Sequence, residues 1–200
     1  MRHTAVLKLG GSLLGLPDWP ARFRRYLNEK RYQPIVVVGG GQTADQVRNW
    51  QTAHRFDDRL AHQLALQAIR FNAESAAAIV GGCLVATMTE VENCWQNETI
   101  PFVDVVNVLA RAESSEDLIP PTWDATSDAI AAFVAGHWRI DRLVLLKSAD
   151  LPGKITDADN DFLEVAAQHK LVDPLIAGIA RHFALQVEWK NLRSPDVSPR

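Results

Sequence analysis

Lys8 interrupts the apolar run of "VLKLGGSLL" and is followed, after one leucine, by Gly10 and Gly11. A second glycine cluster, Gly39, Gly40 and Gly41, ends the run "PIVVV", and a second lysine, Lys147, closes "RLVLLK" ahead of Ser148 and Asp150. Between them, "TWDATSDAIAA" gathers Asp124, Thr126, Ser127 and Asp128 around a helix start. Glycine lets backbone N–H groups converge on an anion, and a following helix N-terminus adds a favourable dipole, so the two clusters together suit several phosphate groups. Two strand-end lysines extend the same chemistry, because cations on either side of a transferring phosphoryl group offset the charge developing on its oxygens. Asp128, set between the lysines, would keep both oriented. Capping uses one or two residues of the acidic and hydroxyl cluster, which leaves others free to orient lysines or hydrate a metal ion.

Simpler readings stand beside these. Glycines punctuate strand ends generally, and a strand lysine can snorkel to the surface. Gly39, Gly41 and Ala44 also fit the G-x-G-x-x-A dinucleotide fingerprint of a nicotinamide oxidoreductase, but that pattern opens a Rossmann unit and has an acidic residue closing its second strand. Here Asp57 and Asp58 open a helix instead. No G-x-x-x-x-G-K-[ST] stretch occurs, which excludes a P-loop. His62 lies on a long helical pattern, either within reach of an acceptor substrate or as a structural histidine. The six histidines have no spacing that compels a metal site, and no metal ligand is assigned.

The elements that must position these residues alternate between short β-rich runs and helical patterns. "TAVLKL" and "PIVVV" read as strands, with a helix over "PARFRRYLNEK" between them and another after "GGGQT". "DDRLAHQLALQAIRFNAESAAAI" predicts a long helix whose buried face carries Leu60, Leu64 and Ala68, before "CLVATM" returns as a strand. "IPFVDVVNVL" reads as a strand followed by irregular structure, and "ARAESSEDLIPPTW" as a long functional loop. "TSDAIAAFVAGHW" is a helix with Thr126 or Ser127 as N-cap, and "RLVLLK" is a buried parallel strand. Beyond a turn-rich loop lie helical patterns in "FLEVAAQHK" and "DPLIAGIARHF" and a last strand, "ALQVEW". The order indicates βαβ units in one domain over residues 1–193, with 194–200 as a disordered tail.

The chain has 200 residues, 47% of them hydrophobic, enough for a core. A net charge of -3 and a pI near 6.1 supply no general positive field, so nucleic acid is not expected as a partner and any anion site must be local. Cys83 and Cys94 fit neither a disulfide-rich scaffold nor a CxxC metal site, which favours reduced thiols and a cytoplasmic location. No secretory signal pattern or run near the ~20 apolar residues of a membrane span is present.

In their order along the chain, "KLGGSLL", "VVVGGGQTADQVR", "TSDAIAA" and "LVLLKSAD" resemble the amino acid kinase superfamily. The resemblance implies an α/β fold, a three-layer αβα sandwich around a mainly parallel sheet. By it, Lys8 stabilises the transferring phosphoryl group, Gly10, Gly11 and Ser12 cradle nucleotide phosphates, Gly40 and Gly41 lie near the γ-phosphate and acceptor, and Asp128 organises the lysines. Lys147 departs from the Thr-Asp of many members, and Lys154 competes with it as the second lysine. "GGGQTADQVR", "AHQLALQAIRF", "TWDATSDAIAA" and "LLKSAD" look most like the small branch of aminomethyl-furanmethanol phosphate kinases, which implies ATP, Mg²⁺, a small phosphate-monoester acceptor and methanofuran-type cofactor synthesis. A homo-oligomer is also expected from the superfamily. The alternative on the same fold is a noncatalytic nucleotide-sensing or anion-storage protein.

Overall fold

The computed structural model describes residues 3–112, 115–152 and 162–194. Strands β1 (His3–Leu9), β2 (Tyr32–Val38), β3 (Gly82–Val85), β4 (Ile100–Val103), β5 (Arg142–Lys147) and β6 (Gln186–Asn191) form one sheet in the order β3-β4-β2-β1-β5-β6, with every pairing parallel. The helices are α1 (Trp19–Lys30), α2 (Gly41–His54), α3 (Asp58–Val80), α4 (Met88–Gln96), α5 (Val105–Arg111), α6 (Ser115–Leu118), α7 (Ser127–His137), α8 (Phe162–Gln168) and α9 (Ile176–His182). Side-chain alternation along the central strands divides the core. Val6, Ile35, Val37, Leu143 and Leu145 pack with α7 and α9 on one face, and Leu7, Leu9, Val36, Val144 and Leu146 pack with α1 on the other. This is the expected αβα sandwich.

The topology fixes where a ligand can sit. From β1 the chain passes to β2 on one side, whereas from β5 it passes to β6 on the opposite side. The carboxyl ends of β1 and β5 therefore flank a switch point, where the diverging connections leave a crevice. Lys8 and Lys147 lie on these two strands.

Several expectations are corrected. On α3 the buried stripe is Ala61, Ala68, Ile69, Asn72, Ala73, Ala76, Ala77 and Val80, while Leu60 is 42% exposed and Leu64 half-buried. Small alanines let the helix lie close to the sheet, so its contact face is displaced from the leucines. The strand expected over "CLVATM" stops at Val85 because Thr87 begins α4 with a capping box: its hydroxyl accepts from Glu90 N, and Glu90 Oε2 accepts from Thr87 N at 3.0 Å. The irregular stretch after β4 is α5, capped by Asp104. Within the expected loop, the chain forms the short α6.

Cys83 on β3 and Cys94 on α4 are joined as a disulfide rather than standing as reduced thiols, since the turn into α4 folds the helix back on its own strand. Among the described residues no helix is long and apolar enough to cross a membrane.

Gly136 on α7 is where the helical layer is tightest, because a Cβ there would run into the Phe183 ring just past α9. Gly136→Ala is expected to lower stability by about 1–3 kcal/mol despite alanine's better helix propensity. Urea denaturation measures this; an unchanged midpoint would mean that α7 and α9 do not pack as described.

Candidate active site

Lys8 pairs with Val37 on one neighbour strand and Leu145 on the other, so its side chain emerges on the face covered by α7. Lys147 is two residues beyond Leu145 and points the same way. Asp128, in the first turn of α7, reaches down between them. Its Oδ2 accepts from Lys147 Nζ at 2.7 Å, and its Oδ1 lies 2.8 Å from Lys8 Nζ, off the line of a hydrogen bond. Lys8 is 5% exposed and Asp128 4%. Burial pushes the Asp128 carboxyl up, but the two ammoniums outweigh it and hold the group low, at about 2. Burial, then the charge of Lys8, draws Lys147 down to about 8 against the pull of Asp128. Lys147 also donates to Leu171 O at 2.7 Å and lies over the Trp189 ring of β6, 5.5 Å from its centroid. Lys8, buried, and Lys147, partly buried, share this one carboxylate, and two ammoniums side by side suit an anion.

The two glycine bends touch. Gly10 N donates to Leu146 O at 2.9 Å and Gly39 N to Leu9 O at 2.8 Å, which extends the sheet ladder into both bends. A Cβ on Gly11 would collide with the backbone of Gly41, and Gly41 itself has φ +48°, in the left-handed region. These positions must therefore be glycine for the bends to close together. Asn72 on α3, buried, fixes the second bend: its Nδ2 donates at 2.8 Å to the carbonyls of both Gly39 and Gly40, and its Oδ1 accepts from Thr43 Oγ1 at 3.0 Å. Ser12 and Ser148 hydrogen-bond across the crevice at 2.9 Å.

Beside the second bend is a cavity of about 200 Å³. Gly40, Gly41, Thr126 and Ser127 form its polar end, Leu66, Ile69 and Ile130 its apolar wall, and Arg48, His62 and Trp123 also line it. The Arg48 guanidinium stacks 4.3 Å from the Trp123 ring, and Trp123 Nε1 donates to Gln51 Oε1 at 2.5 Å, so the segment before α7 closes onto α2.

The fold thus brings together Lys8, Gly10, Gly11, Ser12, Gly39, Gly40, Gly41, Ser127, Asp128, Lys147 and Ser148, with Thr126 and His62 at the adjoining cavity. Asp124 and Asp150 do not join them. Both are exposed, and no described contact ties either to the lysines. Lys154 lies outside the described residues. The sequence reading missed Asn72 and Asp173. Asn72 was detectable as a polar residue on the buried stripe of α3; Asp173 had only the aspartate-before-helix signal of "DPLIAGIARHF". Thr126 is the N-cap of α7 but makes no side-chain cap bond of its own. Asp173 Oδ2 instead accepts from Thr126 N, Thr126 Oγ1 and Ala129 N. Removing the shared carboxylate by Asp128→Ala would leave two buried ammoniums without it, and chemical denaturation should register a loss of about 3–5 kcal/mol.

No protein-family model matches the chain. It is 23% identical over 147 residues to the [5-(aminomethyl)furan-3-yl]methyl phosphate kinase of Methanocaldococcus jannaschii, a match covering 72% of this chain and 66% of that protein. It is 29% identical over 116 residues to the uridylate kinase of Thermoplasma acidophilum, covering 54% of this chain and 45% of that one. The chain thus spans just under two-thirds and about half of the lengths of these two relatives. In three dimensions the uridylate kinase of Archaeoglobus fulgidus superposes with a TM-score of 0.62 at 19% identity, over 94% of this chain and 89% of that one. UMP kinase from Ureaplasma parvum superposes at 0.66 and 11%, over 98% and 92%. The chain thus has the fold of these uridylate and UMP kinases, and in sequence it is similar to the two kinases above.

Proposed function

We propose that the protein is an ATP-dependent kinase that transfers the γ-phosphoryl group to a small phosphate monoester. The observation that carries this reading is the convergence of Lys8, Lys147 and Asp128 with two touching glycine bends at one switch point. The bends offer backbone N–H groups to the nucleotide phosphates, with Ser12 and Ser148 at the crevice rim. An acceptor phosphate oxygen attacks the γ-phosphorus from the cavity beside Gly40 and Gly41. The bond to the β,γ-bridging oxygen breaks, ADP leaves with the electron pair, and a diphosphate ester forms. Lys8 and Lys147 stabilise charge on the transferring oxygens, and Asp128 holds the two ammoniums apart and in register. The acceptor oxygen is already anionic near neutral pH, so no general base is required, in keeping with a site built from cations and amides.

Among the described residues no cluster of three or more His, Cys, Asp or Glu can hold a metal ion, and the Asp128 carboxylate is engaged by the lysines. The chain's donors therefore suit a Mg²⁺ carried on the nucleotide, where it would neutralise phosphate charge. As acceptor, aminomethyl-furanmethanol phosphate of methanofuran-type cofactor synthesis is supported by the similarity to the Methanocaldococcus jannaschii kinase and by the small, partly apolar cavity. About 200 Å³ is below the 300–1,000 Å³ of common ligand pockets.

ADP release against a panel of phosphate monoesters, nucleoside monophosphates and amino acids tests this directly. The monoesters are expected to turn over; tight ATP binding with no turnover on any acceptor would instead indicate a noncatalytic nucleotide sensor. Lys8→Ala should reduce kcat by roughly a hundredfold or more. Lys147, drawn down to about 8, must keep its proton to meet a phosphate. Affinity for a nonhydrolysable ATP analogue should therefore be full below that pH and fall as pH rises through it, by up to about tenfold per unit. Titration calorimetry of the wild type and Lys147→Met reads this, and the variant's profile should be flat.

A further inference from the structure

The geometry points to Asp173 as a positioning residue of the phosphoryl-transfer site: from the segment Leu171–Asp173 it fixes the first turn of α7 and so sets the carboxylate that orients both lysines. This rests on the kinase reading above. Asp173 is 5% exposed and lies between α8 and α9, more than forty residues from Asp128 in sequence. Its Oδ2 accepts from Thr126 N at 3.2 Å, Thr126 Oγ1 at 2.8 Å and Ala129 N at 2.8 Å, contacts that bracket Asp128 on both sides. Its Oδ1 accepts from Ile176 N at 3.0 Å, at the start of α9. One carboxylate thus caps two helices. Two residues earlier, Leu171 O accepts from Lys147 Nζ. A three-residue segment therefore holds both partners of the Asp128–Lys147 pair, one through a helix and the other directly.

Capping alone does not account for a carboxylate here. A serine or asparagine oxygen caps comparably well, without bringing a second negative charge close to Asp128. Burial and that neighbouring charge push the Asp173 carboxyl up to about 6. The charged groups that face it are Asp128 from α7, Lys8 from β1 and Lys147 from β5. Its negative charge favours the protonated form of Lys147, the form that can meet a phosphate. Asp173 therefore acts on the site twice, through the backbone of α7 and through the field at Lys147.

The test compares wild type with Asp173→Asn, which is isosteric but uncharged and has one acceptor oxygen fewer. Binding of a nonhydrolysable ATP analogue is followed by calorimetry from about pH 7 to about pH 10, alongside kcat and acceptor KM. The alkaline decline in affinity is expected to move to lower pH by about half a unit or more, and kcat to fall roughly tenfold with KM changed less than about threefold. A lower melting temperature with wild-type kcat and an unmoved alkaline limb would overturn the proposal, because a purely structural cap behaves that way. Should Asp173→Asn not fold, Thr126→Val removes one of the bonds while keeping the charge. A fall in kcat at unchanged acceptor KM, restored by Thr126→Ser, supports the role, and a wild-type kcat overturns it. Wild-type protein that does not bind the analogue overturns the kinase reading as well, whereas binding with indistinguishable variants overturns this inference alone.

Discussion

One carboxylate shared by two buried ammoniums is the interaction around which the molecule is arranged. Moving Lys8 into the sheet costs several kcal/mol of solvation unless an opposite charge meets it, and Asp128 is that charge. Asp128 can serve only if the first turn of α7 stands over the carboxyl ends of β1 and β5, which the parallel strand order provides. Asp128 and Asp173 are the buried counter-charges of the lysine pair at this end of the sheet. Burial first, and then the charge of Lys8, hold Lys147 below the ordinary lysine range.

The backbone supplies the rest of the site. The glycine bends approach so closely that a side chain at Gly11 has no room, and the surface they present to a ligand is accordingly one of peptide amides. Amides need to be held, since a loop without side chains has nothing of its own to pack. Asn72 does this from α3 by donating to two carbonyls of the second bend. Asp173 plays the corresponding part for α7. Both are buried polar groups that hydrogen-bond the backbone of the site from distant segments.

Legibility in the sequence followed the locality of the signal. β5 was readable at its observed limits because a buried parallel strand is apolar throughout, and Lys147 marked its end. α4 was missed although Thr87 and Glu90 have capping-box spacing, because the apolar residues around Met88 continued the preceding strand pattern. The buried face of α3 was misjudged for a different reason: leucines dominate a periodicity reading, while the sheet selects alanines for close approach. Pairing of Cys83 with Cys94 depended on how α4 turns back on β3, which spacing alone does not encode.

From its residues alone the chain determined that it would alternate strand and helix, and that two strands would end in glycine bends and two in lysines. Those are local properties, set by hydropathy period, backbone freedom and side-chain charge. Tertiary structure decided which of these features meet: that Lys8 and Lys147 share a sheet face, that Asp128 rather than Asp124 or Asp150 lies between them, and that Asn72 and Asp173 hold the assembly from distant segments. Contact between residues far apart in the chain is a matter of strand order and helix crossing, and no local pattern carries that information.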